Sequence, residues 1–141
     1  MKTYVEFRSS AFSAYEEEES VIAPGRFGKR LAEFMAAGLL RLGFECEEPV
    51  AEDWGWLIPL RGDVFKCWIG CGNYYQYPDG FLCFIKTATP VASKFFKKGD
   101  TLKRIAKLQQ AIDSLLAENP EIREIKWWSE EDENHPRLRK N

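Results

Sequence analysis

The stretch Trp54-Gly55-Trp56-Leu57-Ile58-Pro59-Leu60 constrains the fold more than any other part of the chain. Trp54, Trp56, Ile58 and Leu60 alternate with Gly55, Leu57 and Pro59. Period two is the mark of a strand with one buried face. The run Val64 to Cys71 answers it across Gly62-Asp63, a glycine-first turn. This pairing sets Leu60 opposite Phe65, Ile58 opposite Cys67, Trp56 opposite Ile69 and Trp54 opposite Cys71, all apolar and all on one face. A turn of only Gly62-Asp63 makes Pro59 and Lys66 hydrogen-bonded partners, and proline has no N–H to give. A longer turn, Arg61 to Val64, keeps the same facing pairs and points the missing donor away, so this strand belongs at or near a sheet edge. The other face sets Gly55 against Gly70 and Leu57 against Trp68. Facing glycines leave a notch, either filled by Trp68 or a helix side chain, or open to another chain or a ligand.

At 141 residues, 45% hydrophobic and 14% aromatic, the chain suits one domain that buries roughly two thirds of its unfolded surface. A net charge of −2 gives no global field to gather nucleic acid or an anionic membrane, and neither is expected as a partner. No apolar run approaches the ~20 residues that span a bilayer. The start, Met1 to Glu6, lacks a signal-peptide core, so the expected compartment is the cytoplasm. Cys67 and Cys71 are four positions apart on a strand, ~13 Å, too far to share a metal or a disulfide. With Cys46 and Cys83 they read as buried free thiols; the single histidine, His135, lies in a polar tail. No metal site and no cofactor is expected.

Lys2 to Arg8 alternates as a first strand. Glu16 to Glu19 form a like-charged run, read as a solvated loop or helical turn, with an acidic patch for a basic partner as the alternative. Gly25 to Leu42 is the clearest helix: Phe27, Leu31, Phe34, Met35, Leu39 and Leu42 fall on one stripe, and Gly43 stops it. Arg26, Lys29 and Arg30 crowd its positive end, where acidic residues are preferred. They mark either an anion site on the helix N-terminus or partners for Glu16 to Glu19. A P-loop is excluded, because the glycine spacing is too short and Arg30 follows Lys29.

Phe44 to Val50 reads as a short strand, and Gly72 to Gly80 as a loop rich in Gly, Asn, Pro and Asp. Phe81 to Thr87 is the next strand, and Thr89 to Gly99 is irregular. A second helix starts at Asp100 as N-cap, carries Leu102, Ile105, Leu108 or Gln109, Ile112, Leu115 and Leu116 on its stripe, and ends at Asn119-Pro120. Ile122 to Trp128 is the last strand; a charged, frayed tail follows from Ser129. The expected fold is one α+β domain over residues 1–128: a two-layer sandwich, order β-α-β-β-β-β-α-β, with a mostly antiparallel sheet of five to six strands and two helices on one face. The other face is then wet, or covered by loops or a second subunit.

Pro24-Gly25-Arg26-Phe27-Gly28 opening a helix, Glu52-Asp53-Trp54-Gly55-Trp56, and the final strand ending Lys126-Trp127-Trp128 together resemble an uncharacterised family of small bacterial proteins. The resemblance covers about Phe7 to Trp128 and transfers no catalytic residue. The size and architecture are also similar to those of immunity proteins that neutralise bacterial toxins, an analogy at the level of fold.

An enzyme needs an acid, base or nucleophile, and Glu52 or Asp53 beside the tryptophans is the best candidate. As strand neighbours the two point to opposite faces and do not form a pair. The favoured reading is a non-enzymatic binding module, taking a protein partner or a second copy of itself. Its contact residues are Tyr74, Tyr75 and Tyr77 on the loop, with Trp68 on the adjoining strand. An anion or small-ligand binding protein using Arg26, Lys29 and Arg30 is the alternative.

Overall fold

The computed structural model describes residues 1–62, 66–74, 77–88 and 99–130. The elements run β1 (Tyr4–Ser9), α1 (Glu18–Val21), α2 (Lys29–Arg41), β2 (Val50–Glu52), β3 (Gly55–Pro59), β4 (Cys67–Tyr74), β5 (Gly80–Thr87), α3 (Asp100–Ala117) and β6 (Ile122–Trp128). Six strands form one sheet in the order β2-β3-β4-β5-β1-β6, with every neighbouring pair antiparallel. The α+β sandwich expected from the sequence is therefore present, with the short α1 as an addition.

Alternation does the sorting. Val5, Phe7, Trp56, Ile58, Cys67, Ile69, Cys71, Phe81, Cys83 and Ile85 point to one side and are buried. Leu31, Met35 and Leu39 of α2 and Ile105, Leu108, Ile112 and Leu116 of α3 close over them in one core. The helices approach closely where Gly38 meets Leu115; a Cβ there would sit 2.5 Å from Leu115 Cδ2. Gly43, at φ 93°, ends α2 as expected. Phe44 N–H bonds Leu39 O at 2.9 Å and Gly43 N–H bonds Leu40 O at 3.1 Å, the two bonds of a Schellman cap.

The central hairpin keeps the expected faces for Trp56, Ile58 and Leu60 but shifts by two positions. Trp56 lies opposite Cys71 and Ile58 opposite Ile69. A shift of two preserves parity, so the apolar set stays inside. The new register brings Gly55 beside Gly72, where a Cβ on Gly55 would come within 3.1 Å of Gly72 Cα. Trp54 is the exception, lying in the β2–β3 turn with its ring on the opposite side. Leu60 N–H bonds Cys67 O at 3.1 Å, so Pro59, opposite Trp68, turns its nitrogen away from β4, as the sequence requires.

Several boundaries differ from expectation, and Asp100 is not the N-cap of α3 but lies within it, with Gly99 in the N-cap position. Helix α2 begins at Lys29, because Gly25 (φ 75°) and the backbone of Phe27 are held in a docked loop. The strand after that helix is Val50–Glu52; the earlier Glu45 to Glu47 instead bonds the end of β3, Arg61 N–H to Glu45 O and Glu47 N–H to Pro59 O, both at 2.9 Å. Strand β4 runs on through Gly72 to Tyr74. The glycines that signalled a loop serve close approach inside a strand.

Candidate functional site

Helix α2 starts without a side-chain cap of its own, with Gly28 in the N-cap position. Its first N–H groups therefore need an acceptor from elsewhere. Glu18, in α1, supplies it. Glu18 Oε2 accepts Gly28 N–H, Lys29 N–H and the Trp56 indole N–H, each at 2.8 Å, while Oε1 accepts Tyr15 N–H at 3.0 Å. Glu18 is only 4% exposed. Burial pushes its carboxyl up, but the N–H donors of Tyr15, Lys29 and Gly28 and the Trp56 indole outweigh it and hold the pKa below the usual carboxylate range.

The sequence predicts Glu16 to Glu19 as a solvated run, an acidic patch for a basic partner, or partners of nearby cations. Glu18 is none of these, since backbone and indole donors hold it. A helix start lacking Ser, Thr, Asp or Asn, close in sequence to a run of carboxylates, was the available signal.

The loop before the helix is fixed by Asn73 of β4. Asn73 N–H bonds Phe27 O at 2.9 Å, Phe27 N–H bonds Asn73 Oδ1 at 3.1 Å, and Asn73 Nδ2 bonds Gly25 O at 2.9 Å. Gly28 lies against β4 so closely that a Cβ would meet Cys71 O at 2.7 Å and Gly72 Cα at 2.9 Å. The Pro24–Gly28 and Glu52–Trp56 motifs thus meet at one buried carboxylate.

Of the residues expected to bind an anion, Lys29 and Arg30 come together and Arg26 stands apart. Arg30 lies 4.1 Å from the centre of the Tyr15 ring, and Lys29 Nζ lies 5.6 Å from that ring and 5.3 Å from Trp56. The Tyr15 hydroxyl donates to Glu33. Arg26 is half-buried in the preceding turn, its N–H on Ala23 O at 3.1 Å. Two of the N–H groups that an anion would take at this helix start, those of Gly28 and Lys29, already bond Glu18.

The second candidate is the sheet face opposite the helices. Tyr74, Leu82 and Trp128 form a separate buried cluster there with Tyr4 and Phe84, and none of these comes from a helix. Rings run across it: Trp54 to Phe84 at 5.1 Å, Phe84 to Tyr4 at 5.4 Å and Tyr4 to Trp128 at 4.5 Å. The notch at Gly70 is filled by the Phe84 ring, and not by Trp68 or a helix side chain. Trp68 lies on this face, half-buried, opposite Pro59 on one side and Lys86 on the other.

The tyrosines divide. Tyr74 is a strand residue only 3% exposed, where the sequence suggested an exposed loop. Tyr77 is 42% exposed, with the Arg8 guanidinium 4.2 Å from its ring centre. Arg8 and Arg123 both hold Asp79, at 2.8 and 2.6 Å, which ties this turn to β1 and β6. Tyr75 and His135 lie outside the described residues.

Glu52 ends β2 half-buried and Asp53 is exposed in the turn, so the two carboxylates do not converge. Among the described residues no group of His, Cys, Asp and Glu side chains is placed to hold a metal ion. No described helix is long and apolar enough to cross a membrane.

Fold and site together define an α+β sandwich with an internal carboxylate cap and an aromatic sheet face that is free of helices among the described residues. The chain matches no family model, no curated protein and no solved structure, so the meaning of its motifs rests on their geometry.

Proposed function

We propose that this protein is a non-enzymatic binding module that holds a protein partner on the helix-free face, around Trp68. The observation that carries the reading is the setting of Trp68. It is half-buried, beside Leu57 and Pro59, on a face to which no helix contributes among the described residues. Lys86 lies directly opposite and Lys66 two residues upstream, both exposed. Among the described residues neither lysine has an ion pair, whereas Arg61 nearby is 3.7 Å from Glu47. An apolar anchor ringed by unpaired cations suits a partner surface with an apolar centre and an acidic rim. Tryptophan is the residue that most often carries binding energy at such centres.

The test is affinity capture from the producing cell, comparing wild type with Trp68→Ser and Lys66→Glu/Lys86→Glu. Leu40→Ser, on the exposed side of α2, is the control. The expected result is one discrete protein bound by wild type and by the control, and lost from both face variants. Equal capture by all four proteins rejects the assignment.

A further inference from the structure

Cys71 and Cys83 face each other across β4 and β5, and both are fully buried. Their register has a chemical consequence. Ala88 N–H bonds Lys66 O at 3.1 Å, so even-numbered β4 residues bond toward β5. Odd-numbered ones bond the other way, as Leu60 N–H to Cys67 O and Asn73 N–H to Phe27 O confirm. Cys71 and Cys83 are therefore a non-hydrogen-bonded antiparallel pair, with Cα atoms ~4.5 Å apart and side chains at their closest. That lies within the ~4.4–6.8 Å that a disulfide spans. The two sulfurs are already 3.8 Å apart. The other thiols are not so placed: Cys67 lies opposite Thr87, and Cys46 opposite Leu60.

We propose that Cys71 and Cys83 form a reversible disulfide with hydrogen peroxide as the two-electron oxidant. One thiolate attacks a peroxide oxygen, the O–O bond breaks, and the cysteine becomes a sulfenic acid while the leaving oxygen departs as water. The second thiol then displaces the sulfenic hydroxyl as a second water and the S–S bond forms. Two thiols lose two electrons and two protons, and one peroxide becomes two waters. A peroxide is small and uncharged and enters where β4 and β5 part locally. The hydrogen bond shared with the neighbouring Cys83 thiol, and then burial, push the Cys71 thiol up, so the reaction is slow. The product links β4 to β5 directly behind the Cys71 carbonyl, against which Gly28 and Gly55 pack. Oxidation thus stiffens the strand that carries the loop before α2.

Native wild-type protein is treated with hydrogen peroxide, unfolded in alkylating agent, cleaved at its aromatic residues, so that Trp68 separates Cys67 from Cys71 and the tyrosines separate Cys71 from Cys83, and mapped by mass without reduction. The expected product has two of its four thiols joined as Cys71–Cys83, leaves Cys46 and Cys67 alkylated, and reverts with dithiothreitol. Cys83→Ala gives no intramolecular link. Four alkylated thiols after treatment, sulfinic acid at either position, or a link through Cys46 or Cys67 overturns the proposal.

Discussion

The Glu18 carboxylate accepts the indole N–H of Trp56 at 2.8 Å across 38 positions of sequence. The same oxygen receives Gly28 and Lys29, so one side chain joins α1, the start of α2 and β3. Charge-assisted bonds to a buried carboxylate are roughly twice as strong as neutral ones. Trp56→Phe, which removes the N–H and some volume, should cost about 2 kcal/mol, and Trp56→Ala about 3–5 kcal/mol. In a denaturant-unfolding cycle with Glu18→Ala, Trp56→Phe should show a coupling above about 0.5 kcal/mol. Additivity within error would mean that the bond contributes nothing to stability.

Glu18 also sets a pH dependence. Its folded pKa is depressed, so its contribution is complete above the unfolded carboxyl value of about 4.3 and drains away as pH falls through the lower folded value. Asp79, lowered first by the Arg8 hydrogen bond, acts in the same direction at the surface, where salt screens it. At high salt, melting temperatures from pH 7 to 3 should fall more steeply for wild type than for Glu18→Gln. Parallel curves would show that Glu18 is not the titrating group.

Two glycines separate backbone crowding from side-chain crowding. A methyl at Gly28 meets the Cys71 carbonyl and Gly72 Cα, which are strand backbone and cannot yield without breaking the ladder. The three atoms nearest a methyl at Gly70 all belong to the Phe84 ring, a side chain and not strand backbone. Gly28→Ala should therefore cost about 3 kcal/mol, the upper end for overpacking, and Gly70→Ala about 1 kcal/mol. At this size roughly 3 °C of melting temperature accompanies each kcal/mol. The reverse order would place the tight contact elsewhere.

Trp68 and Tyr74 were expected to share a contact surface, and their surroundings now differ. Tyr74 is packed with Leu82 and Trp128, so Tyr74→Ser should lower stability by about 3 kcal/mol. Trp68 keeps part of its surface in water, and Trp68→Ser should cost roughly half as much or less. Calorimetry on the two variants decides this, and a larger loss at Trp68 would make it a structural residue.

The order of elements, the apolar faces of β1, β4 and β5, the Gly43 stop and the α3 stripe were all legible in the chain. Period and capping are local properties, and each reports a backbone geometry within a few residues. Hairpin register was legible only in parity, because alternation says which face a residue takes and not how long the turn is. Glu18 was legible as a charge and invisible as a cap: its four donors come from Tyr15, Gly28, Lys29 and Trp56, and only folding brings them together. Gly72 and Gly80 carried the composition of a loop, yet Gly72 lies inside β4 and Gly80 opens β5. A missing side chain serves a turn and a close approach equally well, and at Gly72 the tertiary structure decided between them by laying the Trp54 carbonyl and Gly28 against that strand.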